Sequence, residues 1–286
     1  QQRLQQLPVL VRVPILLTST NSSRENPMQF IDDAEFQLAI DLDAGARIAS
    51  LKWKDLEFTV PFRGQVHTYG WYAMAPWAGR IKDGLITSPT AGEFQLPTFL
   101  DPPNALHGFG LTSSWQEIGP GRSLLHLPKP YGGATVEQTI EVLDDAIRWS
   151  LEYDANGCDL PVWLGQHPWF ARDLGVGEAA ELEFTPGKML KRVDSLPTGE
   201  IISPTPEPWD DAFTEVRGTP AVVYEGVARI DIETDAPWWV VYTEDPDGIC
   251  IEPQTAPPDA ANLGITGDHY LETLYTFTDI SRDYED

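Results

Sequence analysis

From Glu35 onward apolar and polar residues alternate, with Phe36, Leu38, Ile40 and Leu42 on one face and Gln37, Asp41 and Asp43 mostly on the other. A period of two marks a half-buried β-strand. The pattern returns at Val136, Gln138, Ile140 and Val142, and is cleanest at Ile147, Trp149, Leu151 and Tyr153, interleaved with Arg148, Ser150 and Glu152. Asp144 and Asp145 between these two runs predict a hairpin turn. Leu182 with Phe184, Ile230 with Ile232, Trp238 to Tyr242, and Leu274 with Phe277 predict further short strands. Helical spacing with caps is scarce throughout. The 23 glycines and 25 prolines punctuate these runs instead of gathering into a linker, which predicts one continuous domain. Many short strands with Gly/Pro turns, together with 10 tryptophans, predict an all-β fold built as a large antiparallel β-sandwich. The clusters Pro102-Pro103-Asn104, Pro204 to Pro208 and Pro257-Pro258-Asp259 read as loops crossing one face, where binding chemistry belongs.

Composition narrows the partners. Among 286 residues, 44 acidic side chains against 19 basic ones leave a formal charge of −25. Such a surface field repels phosphate-rich partners, so neither nucleic acid nor an anionic membrane is expected. The acidity suits a salt-tolerant source and an ordinary acidic cytosolic protein equally. Cys158 and Cys250 stand far apart without Cys-x-x-Cys spacing, which predicts a reduced, cytoplasmic pair instead of a disulfide or thiolate metal site. The longest N-terminal apolar run, Val9 to Leu17, is interrupted by Arg12 and Pro14 and is too short to span a bilayer. Because Met28 is the first methionine and a strand pattern comes after it, residues 1–27 read as a leader or extension, and 28–286 as the folded unit.

Several common motifs fail on context. Gly175-Val176-Gly177-Glu178-Ala179-Ala180 matches a dinucleotide-binding pattern but leads into the alternating run Glu181 to Phe184 instead of a helix. No phosphate-binding P-loop and no G-x-S-x-G elbow are present. The histidines, His67, His107, His126, His167 and His269, show neither H-x-H nor H-E-x-x-H spacing, so no metal is expected.

Five segments set polar groups among aromatics, proline and glycine: Ala75-Pro76-Trp77-Ala78-Gly79-Arg80-Ile81, Asn104-Ala105-Leu106-His107-Gly108-Phe109, Gly165-Gln166-His167-Pro168-Trp169-Phe170, Trp209-Asp210-Asp211-Ala212-Phe213, and Ile251-Glu252-Pro253-Gln254-Thr255. That mixture suits a pyranose, whose C–H face is covered by aromatic rings while charged and amide groups take its hydroxyls. Each segment also has a purely structural reading. Arg80 can brace a loop, His107 can be a turn histidine, and His167 before Pro168 can be a satisfied core residue at a strand end. Asp210 and Asp211 can serve turn chemistry beside Pro208, and Glu252 after Gly248 to Ile251 can sit on a solvated face or at a strand end. In this order, however, the five segments resemble the aldose 1-epimerase (galactose mutarotase) family, over about Phe36 to Phe277.

The resemblance implies interconversion of the α and β anomers of a free hexose, with a monosaccharide as partner and no cofactor or metal. It casts Glu252 as the base that takes the anomeric hydroxyl proton and His167 as the acid that protonates the ring oxygen. It also implies that Arg80 and His107 hold hydroxyls and the ring-oxygen side, and that Asp210 accepts from hydroxyls farther round. Trp169 and Gln254 are expected to line the site, with Trp163 a weaker candidate. The sequence departs from the family pattern at Gly79, where an Asn often precedes the arginine, and at Pro168-Trp169, which leaves the hydroxyl preference open. Alternatives are a hexose-phosphate mutarotase, which needs a cluster of cations, a glycoside hydrolase using Asp210 and Glu252, and a non-catalytic sugar-binding sandwich. A monomer or homodimer fits equally.

Overall fold

A computed structural model describes residues 27–33 and 35–281. The expected leader, but for Pro27, lies outside these residues. The architecture is all-β: an 11-stranded and an 8-stranded antiparallel sheet face one another, with one hydrophobic cluster between them. The alternating runs form the strands Phe36–Asp41, Thr135–Val142, Ala146–Asp154 and Tyr270–Asp279. Residues 144 and 145 turn the hairpin between the second and third. The glycine motif at 175–180 leads into the strand Glu181–Glu183, not into a helix. Among the described residues helix is confined to single turns, of which Ala260–Leu263 is the α-helical one. No helix among the described residues is long and apolar enough to cross a membrane, and both cysteines are unpaired.

Aromatic rings close the gap between sheets. Trp71 on the strand Trp71–Met74 lies 6.5 Å from Trp149 and 4.8 Å from Tyr275, both on the opposite sheet. Phe36 and Phe58 reach across to Phe277 at 5.1 and 5.4 Å. A chain of buried amides fixes the sheets more specifically. Gln166 donates to the Trp149 carbonyl at 2.9 Å and accepts from the Tyr275 hydroxyl at 3.3 Å. Gln138 accepts from the Trp149 indole at 3.1 Å and donates to the Ala46 carbonyl at 2.7 Å. Leaving one of these buried groups unpaired costs about 1–3 kcal/mol, so they select one packing of the sheets.

Three neighbouring strands form the middle of the larger sheet: Trp71–Met74, Gly165–Ala171 and Gly248–Gln254. Alternation turns Gln166 and Phe170 toward the core and sends His167 and Trp169 to the opposite face. On Gly248–Gln254, Ile249 and Ile251 join the core while Glu252 and Gln254 take that same outer face. Glu252 therefore lies inside a strand, not at a strand end or on a solvated face. His167 is likewise mid-strand; Pro168, which has no N–H to give, coincides with the stretch lacking ladder pairs between Gly165↔Gln254 and Trp169↔Cys250.

Candidate active site

The pairing of Gly165 with Gln254 and of Trp169 with Cys250 sets His167 opposite Glu252 across two adjacent strands. Their side chains meet, with His167 Nε2 at 3.2 Å from Glu252 Oε1, and both residues are buried. Above them opens a cavity of about 470 Å³, inside the range of about 300–1,000 Å³ usual for small-molecule sites. Seven residues expected to form a site line it: Arg80, His107, His167, Trp169, Asp210, Glu252 and Gln254. Trp163 does not; its indole donates to the Ala78 carbonyl at 2.7 Å within the core. A larger depression of about 1170 Å³ runs past Glu233, Asp268 and Tyr270. It contains none of the seven residues, whereas the smaller cavity gathers the buried titratable groups that mark functional sites.

His167 is held on both sides by rings. Tyr72, its cross-strand partner, stacks at 4.6 Å with 28° between planes, and Trp169 stacks at 5.6 Å with 13°. Trp169 thus packs its ring on His167, with the Arg63 guanidinium also over it at 5.5 Å. It orients the imidazole more than it offers an open platform to a ligand. Gln254 donates to Glu252 Oε2 at 3.2 Å, fixing the carboxyl from the side opposite His167. The other amide atom, Gln254 Oε1, and His167 Nδ1 are buried without a protein partner.

Burial dominates the electrostatics. It pushes the Glu252 carboxyl well above the ordinary carboxylate range, helped by the nearby Asp210 charge. It also pushes the His167 imidazole well below its ordinary value, with His67 contributing in the same direction. Each charged form is disfavoured by lost solvation, so the pair favours a single shared proton and no net charge. His107 is likewise held neutral, by burial first and then by His167 and Arg80. Its Nδ1 accepts from the Gly79 amide at 3.3 Å, which assigns the ring proton to Nε2 and makes it a donor.

Arg80 and Asp210 are anchored at the cavity wall. Arg80 Nε donates to Asp101 at 2.7 Å. Asp210, at the start of the strand Asp210–Thr214, accepts from Arg192 Nη1 at 2.9 Å, and Arg192 Nε reaches Asp211 at 3.3 Å. Burial raises the Asp210 carboxyl above its usual range against the pull of Arg192. Sequence reasoning passed over Tyr72, Arg192 and His67, all of which touch this site or its histidine; no local motif marks them.

The turn bearing His107 depends on its neighbours. His107 and Gly108 both have positive φ, 56° and 73°. The His107 amide donates to the Gly79 carbonyl at 2.9 Å, and a Cβ on residue 108 would strike the Ala75 carbonyl. Gly108→Ala is expected to destabilise the fold by about 2 kcal/mol or more through backbone strain and this clash. A urea titration that finds its midpoint unchanged would refute the point.

Among the described residues, one group of potential metal ligands is close-set: His167, Cys250 and Glu252, with ligand atoms within 4.8 Å of one another. It coincides with the buried pair. The Cys250 thiol is pushed well up by burial and by Glu252, which opposes the thiolate that a metal requires.

Comparisons with known proteins bear on the family and the fold. The family model for aldose 1-epimerases matches residues 31–272. A protein of Escherichia coli K12, proposed to be an aldose 1-epimerase, has a similar structure, with a TM-score of 0.73 at 19% identity over 88% of this chain and 99% of its own. A galactose mutarotase-like protein of Clostridium acetobutylicum gives 0.69 at 16% identity, covering 87% of this chain and 94% of its own. A galactose mutarotase related enzyme of Lactobacillus acidophilus gives 0.67 at 16% identity, covering 89% and 98%. At these identities the likeness is one of fold. No curated protein matches the chain.

Proposed function

This chain belongs to the aldose 1-epimerase family, and from that premise we propose that it interconverts the anomers of a free hexose at the cavity above His167 and Glu252. The observation that carries the reading is the 3.2 Å contact of a buried imidazole with a buried carboxyl. Ring opening takes a proton from the anomeric hydroxyl and gives one to the ring oxygen, so a catalyst needs one acceptor and one donor at the same time. A pair that holds one proton supplies both and returns to the same count after each half-reaction.

In our reading Glu252 accepts from the hydroxyl and His167 donates to the ring oxygen, which calls for a carboxylate and an imidazolium. Burial favours the other tautomer, with the proton on Glu252. The two differ only by moving that proton across the contact, so the pair enters turnover with one proton whichever residue carries it. Rotation about C1–C2 of the open aldehyde and reversal of both transfers give the other anomer. His107 Nε2 and Arg80 act as donors to hydroxyl oxygens, while Asp210 acts as an acceptor and Gln254 holds the Glu252 carboxyl.

Charge favours a free sugar over a phosphorylated one. Besides the neutral His167–Glu252 pair, the cavity is lined by Asp101, Asp210, Asp211, Glu244 and Asp245 against Arg80 and Arg192. Both arginines already bond to carboxylates. A phosphate or carboxylate on the substrate would enter a negative field without a spare cation. Polarimetry of freshly dissolved α-glucose and α-galactose is expected to show fast equilibration, with glucose 6-phosphate accelerated at least about ten-fold less. Sugar binding without acceleration would favour a sensor, release of sugar from a glycoside would favour a hydrolase, and equal action on the phosphate would overturn the charge argument.

A further inference from the structure

We propose that His67 is a substrate-binding residue, donating from Nε2 to a hydroxyl of the sugar whose anomeric centre lies at the His167–Glu252 pair. The proposal rests on the epimerase reading for the identity of the ligand and on separate observations for the residue. His67 lies in the stretch between Val60 and the strand Trp71–Met74, and it lines the cavity. Its Nδ1 is buried and makes no hydrogen bond, which leaves Nε2 as the nitrogen available to a ligand. An orphaned acceptor in a protein interior is cheaper than an orphaned N–H, so the neutral ring carries its proton on Nε2 and offers a donor.

The backbone beneath this imidazole is built to hold it still. The His67 carbonyl accepts from both rings that stack on His167, the Tyr72 hydroxyl at 3.0 Å and the Trp169 indole at 3.0 Å. Fully buried Arg47 spans the residues on either side, donating to the Val66 carbonyl at 2.7 Å and to the Tyr69 carbonyl at 3.0 Å. Its guanidinium also lies 4.0 Å over the Tyr69 ring and reaches the Leu111 carbonyl at 3.1 Å. Three carbonyls within four residues are thus tied to buried donors. The side chain on such a loop is pre-positioned, so a hydrogen bond from it to a ligand loses little to ordering. Since the carbonyl contacts belong to the backbone, replacing the side chain tests the imidazole without releasing Tyr72 or Trp169.

The experiment compares His67→Leu, His67→Gln and His67→Asn with the wild type. It measures mutarotation of α-galactose by polarimetry and binding of galactose by titration calorimetry. His67→Leu is expected to raise KM and Kd about ten-fold, the loss of one hydrogen bond, and to leave kcat within about two-fold. The glutamine amide reaches about where Nε2 stands and is expected to recover most of the loss, whereas the shorter asparagine is not. With a set of monodeoxy-galactoses, one member should bind wild type and His67→Leu equally, identifying the hydroxyl that is held. Unchanged KM and Kd in His67→Leu, or asparagine recovering as well as glutamine, overturns the proposal. If the wild type fails to accelerate mutarotation, the epimerase reading falls, and the galactose Kd values still decide the role of His67.

Discussion

Glu252→Gln is expected to lower kcat for mutarotation by about 10³-fold, within the roughly 10²–10⁴-fold range that positioned acid–base groups contribute, while galactose Kd stays within a few-fold of wild type. The amide has the size and shape of the carboxyl it replaces, so a side chain that is 2% exposed keeps its packing between Val240 and the Gly165–Ala171 strand. Gln254 Nε2, which donates to Oε2, still finds an acceptor in the amide oxygen. What disappears is the capacity to take up and release a proton, because an amide titrates nowhere near neutral pH. The opposite consequence is informative too. Burial disfavours the carboxylate at this position, so removing the ionisable group is expected to leave thermal stability intact. The measurement is polarimetric kcat together with calorimetric Kd on the same preparation. A variant within about ten-fold of wild-type kcat would show that some other group accepts the anomeric proton.

The strands that betrayed themselves in sequence are those with one face on the core and one toward water. Thr135–Val142 and Ala146–Asp154 alternate because Val136, Ile140, Trp149 and Leu151 are buried while their neighbours remain in partial contact with solvent. The strands that carry the chemistry do not alternate in burial. All seven residues of Gly248–Gln254, and all but the last of Gly165–Ala171, are buried, since one face meets the other sheet and the other meets the cavity wall. Period two is silent there. These stretches are recognisable in sequence as local clusters of polar and aromatic residues in which His167 and Glu252 read as strand-end positions, whereas both lie inside strands. What sequence could not supply was the set of contacts between distant residues. Arg192 joins Asp210 and Asp211 from a neighbouring strand, Arg47 holds the loop at residues 66–69, and His67 stands in a segment with no motif. Each depends on pairing that only the fold provides.

His167→Asn is expected to reduce kcat by a factor similar to that of Glu252→Gln, and the double variant to be little slower than either single one. Residues that act as a unit lose most of their effect when the first member is removed, so the two losses should not multiply. Losses that did multiply would mean that two independent groups sit side by side. The wild-type pH profile tests the same unit from the other side. As pH falls, the pair gains a second proton and loses its acceptor; as pH rises, it gives up its only proton and loses its donor. Burial lowers the imidazole from its ordinary 6.5 and raises the carboxyl from its ordinary 4.5, so the second proton goes to His167 and the last one leaves from Glu252. The acid limb of kcat/KM should therefore lie below pH 6.5, and the alkaline limb well above pH 4.5, with both apparent values belonging to the pair and not to either residue. In His167→Asn only the carboxyl remains, so the residual activity should lose its acid limb near the wild-type position. An acid limb at 4.5 with an alkaline limb at 6.5, the ordinary values of the carboxyl and the imidazole, would mean that both groups ionise as they do in water, and that desolvation does not set the protonation state of this cavity.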